Sequence, residues 1–292
     1  MKLRNILITV AAAGMMFAST DRTGVIGYTE GDYTDYHTFA HKAANYNVAY
    51  TAGDDFTAVW NVDGTTWGFS SGGDDELVNM VWSNGTYGVS AGLNMPAGGD
   101  TTFDFGFGME LMGYDVGFSM DTAENGPMSL NARGKCNLWL FDTMTFGYHA
   151  ATTADTGTDY TQLNIGMYKV NSVGANTNFM FGMGVGTDDM PNDNWVDPAT
   201  LVKTNFSLET ELADWCDIRV GYAKHFNMAA ADGESTSVEA YSAGLGFDYG
   251  STSLDMTISS DTLDDVVSNP LLYATGRNTN GLAASWTLSY SW

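Results

Sequence analysis

Residues 281–292 read GLAASWTLSYSW, and this stretch decides the fold. Apolar side chains occupy every second position, and small or polar residues fill most of the positions between them. The apolar positions are Leu282, Ala284, Trp286, Leu288, Tyr290 and Trp292. Because successive side chains of a β-strand point to opposite faces, the stretch predicts a strand with one apolar face and one polar face.

The same alternation recurs along the chain from about residue 44. Residues 103–111 read FDFGFGMEL and residues 178–185 read NFMFGMGV. One strand near residues 46–51, seven hairpins and the final strand predict about 16 strands; some early strands are short, so 12 or 14 are the alternatives. The short turns are expected at Asp63-Gly64, Asn84-Gly85, Met112-Gly113, Phe141-Asp142, Asn171-Ser172, Ala213-Asp214 and Gly250-Ser251.

A soluble β-sandwich would alternate too, but three features favour a membrane barrel. Short turns alternate with longer links, and this arrangement is typical of outer-membrane barrels. All five prolines fall in the longer links, as a closed sheet requires. The apolar face is rich in aromatic residues and Met throughout, which suits lipid contact. We therefore predict an all-β fold, a closed antiparallel transmembrane β-barrel over residues 44–292, with short periplasmic turns and longer extracellular loops.

The N-terminal residues have a different character. Lys2 and Arg4 precede an apolar stretch at residues 6–18, and this pattern predicts a signal peptide at residues 1–19. No run of eighteen apolar residues follows it, so no membrane-spanning helix is expected. Residues 20–43 do not alternate cleanly, and we expect them to be a periplasmic lead-in or a plug.

Composition excludes several classes of protein. A net charge of −24 repels phosphate backbones, so nucleic-acid binding is not expected. Aromatic residues make up 13% of the chain and charged residues only 16%, the reverse of a disordered composition. Cys136 and Cys216 fall on well-separated predicted strands, too far apart for a disulfide.

The last strand also carries a family resemblance. Trp286, Leu288, Tyr290 and the terminal Trp292 resemble the assembly signal of bacterial outer-membrane barrels, and the chain resembles porins in length, acidity and hairpin order. The resemblance implies a Gram-negative outer membrane, with its lipid, periplasmic chaperones, the barrel assembly machinery and a homotrimer as partners. General trimeric porins fold a long third loop into the barrel. The corresponding link here, residues 96–101, is short, so residues 187–199 and 261–279 are better candidates for a gate.

The charged residues on the polar face of the predicted strands are predominantly acidic. By the alternation, nine carboxylates face the lumen: Asp104, Glu110, Asp115, Asp121, Glu209, Glu211, Asp217, Asp248 and Asp255. Four bases share that face: Arg133, Lys135, Lys203 and Arg219. Because acidic rings concentrate cations in a pore, we predict a cation-preferring channel for passive diffusion of small polar solutes. Two alternatives remain open, a solvated interior that does not select ions and ion pairs that rigidify a narrow barrel.

Other chemistry has weaker signals. Oxygen ligands crowd residues 188–197, where Asp188, Asp189, Asp193 and Asp197 could hold a divalent cation, although the spacing is not that of an EF-hand. His37 and His41 could share a helical face and hold a metal, but no third ligand is apparent. With no nucleophile motif, we expect no catalytic residue and no cofactor. The alternative functions are a structural or adhesive outer-membrane surface protein with a non-conducting barrel, or a barrel-type outer-membrane enzyme.

Overall fold

The computed structural model describes residues 20–52, 55–72, 76–96, 99–124, 126–152, 159–188, 199–230, 236–258 and 284–292. Helix α1 (Thr20–Ile26) and two 3₁₀ helices, Tyr33–His37 and Ala40–Asn45, precede the strands. The strands are β1 (Val48–Ala52), β2 (Asp55–Val62), β3 (Thr65–Ser71), β4 (Glu76–Ser83), β5 (Tyr87–Asn94), β6 (Thr102–Leu111), β7 (Tyr114–Asp121), β8 (Met128–Leu138), β9 (Phe141–Thr152), β10 (Asp159–Ser172), β11 (Thr177–Asp188), β12 (Ala199–Ala213), β13 (Cys216–Asn227), β14 (Ser237–Tyr249), β15 (Thr252–Ile258) and β16 (Ala284–Ser291).

The sixteen strands form one closed antiparallel barrel. Each strand pairs with its neighbours in sequence, and β1 pairs with β16, from Val48 opposite Ser291 to Ala52 opposite Thr287. Closure leaves no sheet edge exposed. The predicted all-β closed barrel and its count of 16 strands are confirmed.

The two faces of the barrel wall follow the alternation. On β16, Trp286, Leu288 and Tyr290 are exposed on the outside, whereas Thr287 and Ser289 are buried toward the lumen. Exposed outer residues of the same kind recur on β6 at Phe103, Phe105 and Phe107. An exposed apolar band of this extent is what lipid contact requires.

Local backbone chemistry fixes some of the short turns. Asp63 and Gly64 have φ of 51° and 81°, and Met112 and Gly113 have 55° and 82°. Positive φ at both central residues matches a two-residue turn to the twist of its strands. These two turns and the one at Gly250-Ser251 are confirmed.

Other turns were misplaced. The turn at Phe141-Asp142 was wrong, because Phe141 begins β9 and stacks on Phe181 with ring centroids 5.5 Å apart. Residues 139–140 form the turn instead. The Asn171-Ser172 turn was also wrong, since β10 continues to Ser172, and the Ala213-Asp214 turn lies one residue later.

The lumen contains an apolar core beside β1–β4. The sequence pattern did not predict it, because the alternation was interpreted as placing polar residues on the inner face. Val48, Tyr50, Val59 and Val81 face inward and are buried. They pack against side chains of the two 3₁₀ helices and the residue that follows them: Tyr33, Tyr36, Ala40, Ala43 and Tyr46. This part of the wall is therefore built to hold protein and not water.

Two other expectations concern the rest of the chain. Cys136 and Cys216 lie on β8 and β13 and are free, as predicted. No helix in the described ranges is long and apolar enough to cross a membrane. The predicted signal peptide at residues 1–19 and most of the two gate candidates, residues 187–199 and 261–279, lie outside the described residues.

Candidate functional site: the barrel lumen

Residues 20–46, here called the inner segment, lie against the inner face of the wall. Helix α1 contacts β12–β16, and the second 3₁₀ helix contacts β3–β6, nearly opposite in the strand order. The inner segment therefore crosses the lumen. The domain boundary predicted after residue 43 falls inside the second 3₁₀ helix.

One ion cluster joins the first 3₁₀ helix to β7 and β8. Arg133 Nη1 and Nη2 donate to the two carboxylate oxygens of Asp35 at 2.8 and 2.5 Å. Arg133 Nη2 also donates to Asp115 Oδ2 at 3.0 Å, and Asp115 Oδ1 lies 2.6 Å from Lys42 Nζ and 3.0 Å from His41 Nε2. Because Arg133 and Asp35 are almost wholly buried, removing either one would leave the charge of the other buried without this partner.

A second cluster joins α1 to β12, β13 and β15. Arg22 donates from Nε and Nη2 to the two oxygens of Glu209, at 2.6 and 2.7 Å. Arg219 donates to Glu209 at 2.8 Å and also pairs with Asp255 and, at 3.5 Å, with Asp217. Two buried guanidinium groups thus share one carboxylate, which anchors the helix to the wall.

Polar hydrogen bonds complete the attachment of α1. Asp21 accepts hydrogen bonds from Ser285 and, at 2.6 Å, from Thr287 Oγ1. Ser207 Oγ donates to the Ile26 carbonyl at 2.7 Å, and Thr257 Oγ1 donates to the Asp21 carbonyl at 2.7 Å. Wall hydroxyls therefore satisfy backbone carbonyls of this short helix.

The predicted lumen charges divide into paired and unpaired groups. Asp115, Glu209, Asp217 and Asp255 lie in the two clusters, Lys135 pairs with Glu30 at 2.7 Å, and Lys203 donates to Asn164. The remaining five acids form no ion pair with a described residue: Asp104, Glu110, Asp121, Glu211 and Asp248.

These five acids lie toward the two ends of the barrel. Asp104 and Asp121 are paired in register at the end with the longer links, where Asn94 Nδ2 donates to Asp104 at 2.7 Å and lies 3.5 Å from Asp121. Glu110, Glu211 and Asp248 lie at the end with the short turns, close to the ends of β6, β12 and β14. Both mouths therefore carry carboxylates without basic partners among the described residues.

An open cavity of about 600 Å³ separates part of the inner segment from β9–β12. Tyr28 and Thr29 line one side, and the lining wall residues include Thr145, Asn164, Gly166, Tyr168, Gly182, Gly184, Lys203 and Asn205. Space remains because Gly166 and Gly184, paired in register, have no side chains to fill it. No carboxylate is among the described residues that line this cavity.

Asp32 is a buried carboxylate at the start of the first 3₁₀ helix. Its Oδ1 accepts hydrogen bonds from Thr34 N and Oγ1, at 2.8 and 2.6 Å, and caps that helix. Arg22 Nη1 is 3.9 Å from Oδ2. Burial raises the pKa of Asp32 from 3.8 to about 7, against the opposing effects of Thr34 and Arg22.

This pKa predicts a pH-dependent stability. A carboxyl whose pKa is higher folded than unfolded stabilises the fold fully below about pH 4 and loses that contribution as the pH rises to about 7. Asp32→Asn should remove the loss, so the variant should gain stability over the wild type between these values. The difference should be a few kcal/mol at most, since one pKa unit is about 1.4 kcal/mol. Urea unfolding at pH 4 and pH 8 measures it, and parallel pH profiles for the two proteins would refute it.

The metal and catalytic hypotheses gain little from the geometry. His37 Nε2 lies 2.6 Å from Tyr50 Oη, whereas His41 faces Asp115. No group of three metal-ligating residues occurs among the described residues. The candidates Asp189, Asp193 and Asp197 lie outside those residues, as does the side chain of Asp188. Ser129 Oγ lies 2.9 Å from His149 Nδ1, but no carboxylate of the described residues bonds to that ring.

Sequence reasoning missed the glycines on which the inner segment rests. Gly88, Gly108 and Gly117 stand side by side on β5, β6 and β7. A Cβ at Gly88 would lie 2.2 Å from the Ala40 carbonyl carbon, and one at Gly117 would lie 1.9 Å from the Thr38 carbonyl oxygen. The sequence does place glycines on the inner face at these three positions. Small residues are equally expected on an inner face that meets only water, so the glycines did not indicate contact with the inner segment.

Comparisons with known proteins concern the fold. No protein-family model matches the sequence, and no curated protein matches it significantly. Among solved structures, a bacterial polysaccharide outer membrane secretin superposes with a TM-score of 0.52 at 8% identity, covering 84% of this chain and 96% of that one. A porin gives 0.47 at 13% identity (84% and 98% covered), and OccAB3 of Acinetobacter baumannii gives 0.46 at 9% (82% and 77% covered). The chain is a 16-strand closed antiparallel barrel, and it shares this fold with the outer membrane secretin.

Proposed function

We propose that the protein is an outer-membrane channel for passive diffusion of small polar solutes and that it prefers cations. The observation that carries the preference is the division of lumen charges. Arg22, Arg133 and Arg219 are buried against carboxylates, so little of their positive charge acts on a solute. The five unpaired acids at the mouths have no such compensation and would raise the local concentration of cations.

The cavity beside Tyr28 supports the channel part of the proposal. It lies where the inner segment leaves the wall of β9–β12, and hydroxyl, amide and ammonium groups line it. Most of the lining surface is apolar, with Met180 among its residues, and the polar groups beside it would replace some of the water that a solute gives up. We infer that the inner segment is a plug that narrows the lumen and that this cavity is part of the route past it.

A location in the outer membrane would also bring further partners. We propose them from the fold and from the exposed apolar band on the outside of the barrel. Outer-membrane lipid would surround the exposed aromatic residues, and the alternating last strand with Trp292 would serve as the signal for the barrel assembly machinery after periplasmic chaperones deliver the chain. A homotrimer, and divalent cations at the acidic mouths, belong to the same proposal. Catalysis is not part of it.

Reversal potentials in planar bilayers test the cation preference. In a KCl gradient, potassium should pass more readily than chloride, and the preference should weaken at 1 M salt, where the Debye length falls to about 3 Å. Asp104→Asn with Asp121→Asn at one mouth, and Glu211→Gln with Asp248→Asn at the other, should each move the reversal potential toward zero.

Glu239→Gln provides the control. Glu239 pairs with Lys224 on the outer face, so the variant loses a carboxylate without changing the lumen. Its reversal potential should equal that of the wild type. An anion-preferring channel would overturn the preference. A folded barrel that never conducts would overturn the channel and favour the structural or adhesive alternative.

A further inference from the structure

The two ends of the inner segment are held by different forces. The 3₁₀ helices, with Tyr46, contribute five of the nine buried residues of the apolar core, and the chain runs directly from them into β1. Tyr33 and Ala43 in that core are 0% exposed. Removing this part would expose the apolar inner residues of β1, β2 and β4 to water, so it is a fixed part of the wall.

Gly88, Gly108 and Gly117 also let the 3₁₀ helices lie very close to the wall. At Gly108 a Cβ would lie 2.4 Å from the Ala40 amide nitrogen. On the same side, Ser83 Oγ donates to the His41 carbonyl at 2.8 Å. Backbone therefore rests on backbone across three strands.

Helix α1 is held mainly by polar contacts. Its attachment consists of the Arg22–Glu209 pair, the hydrogen bonds of Asp21, and hydroxyl bonds to backbone carbonyls. Only two apolar residues of the helix, Val25 and Ile26, are buried. When the helix leaves the wall, water replaces the partners in these polar bonds, whereas nothing in water replaces the contacts of an apolar core.

A flexible connection joins the two ends. Gly27 and Gly31 have φ of 78° and 83°, a region that glycine enters freely. Nothing lies within 4 Å of a Cβ placed at Gly31, and among the described residues the neighbouring Glu30 is held only through its side chain, by Lys135 and Tyr168. Thr23 and Gly24 of α1 line the cavity beside β9–β12, so moving the helix would enlarge that cavity.

We propose that residues 20–31 form a gate hinged at Gly31, while residues 33–46 remain fixed in the wall. In the closed position α1 sits on β12–β16 and narrows the passage. In the open position the Arg22–Glu209 pair, the Asp21 bonds and the contacts of Glu30 with Lys135 and Tyr168 are broken. The passage then includes the space that the helix occupied. The gating of conductance depends on the channel function proposed above, but the motion does not.

Thiol labelling tests the motion without any measurement of current. In a background of Cys136→Ser and Cys216→Ser, single cysteines replace Val25 under the gate or Ala43 in the fixed part, both of them buried. A methanethiosulfonate reagent added to barrels reconstituted in vesicles should modify Val25→Cys at least tenfold faster than Ala43→Cys. Equal rates would overturn the hinged gate.

A reversible crosslink then links the motion to conductance. Asp21→Cys with Thr287→Cys, in the same background, places two thiols where Thr287 Oγ1 now donates to Asp21 Oδ2. Bridged by a short bis-methanethiosulfonate reagent, the channel should conduct less and more steadily than the same protein after reduction. A deletion of residues 20–31 should give the largest conductance and still fold.

The outcomes separate the two proposals. Current that is identical in the bridged, reduced and deleted proteins would overturn the gate and leave the channel intact. No current in any of them, with Val25→Cys labelled quickly, would overturn the channel and leave the hinged motion intact. Failure of the deletion to fold would contradict the division into a fixed and a movable part.

Discussion

Replacing Gly117 by alanine should strongly destabilise the barrel, and valine should prevent its assembly. A Cβ at this position would lie 1.9 Å from the Thr38 carbonyl oxygen, which is backbone and cannot rotate away. The inner segment must then move off the wall, which exposes the apolar core around Tyr33 and Val59. Overpacking of a tight site costs about 1–3 kcal/mol for a small group and more for a larger one.

Gly147 offers a matched control on β9. It also faces inward, but a Cβ there would meet only the Asn131 side chain, at 3.3 Å. Gly147→Ala should fold and unfold as the wild type does. The folded fraction, read from heat-modifiable migration on a gel, and urea unfolding compare the two. Equal stability of Gly117→Ala and Gly147→Ala would mean that the inner segment does not rest on the wall as described.

Arg133→Met should cost about 3–5 kcal/mol of unfolding free energy, because it leaves buried carboxylates without their cation. Asp35, with a side chain only 2% exposed, loses both of its hydrogen bonds to the guanidinium. Asp115 keeps Lys42 and His41, so Asp35 bears most of the loss. Adding Asp35→Asn to Arg133→Met should restore part of the stability, since the uncompensated charge disappears.

Lys135→Met makes the same change of charge two residues along β8. The Lys135 side chain is 68% exposed and pairs with Glu30 near solvent. Exposed pairs of this kind contribute about 0–1 kcal/mol, so this variant should unfold close to the wild type. Similar losses for Arg133→Met and Lys135→Met would refute a structural role for the buried cluster.

The sequence determined the barrel because its evidence is local. Alternation needs only neighbouring residues, so the outward faces of β6 and β16 followed from the chain alone, as did the count of seven hairpins between a first and a last strand. Turn positions were less secure. Phe141 was placed in a turn, but its stacking on Phe181 of β11, a contact with a distant part of the chain, keeps it in a strand.

Only the tertiary structure decided what fills the lumen. The sequence assigned nine acids to the inner face but could not say which of them are paired. Arg22 and Glu209 are 187 residues apart, and Arg133 and Asp35 are 98 apart. A period of two specifies which face a side chain occupies, but its partner across the lumen depends on closure of the whole sheet and on the path of the inner segment. The short link at residues 96–101 argued against a loop folded into the barrel. Residues 20–46 lie in the lumen instead. Inward glycines of the wall allow the two backbones to touch there.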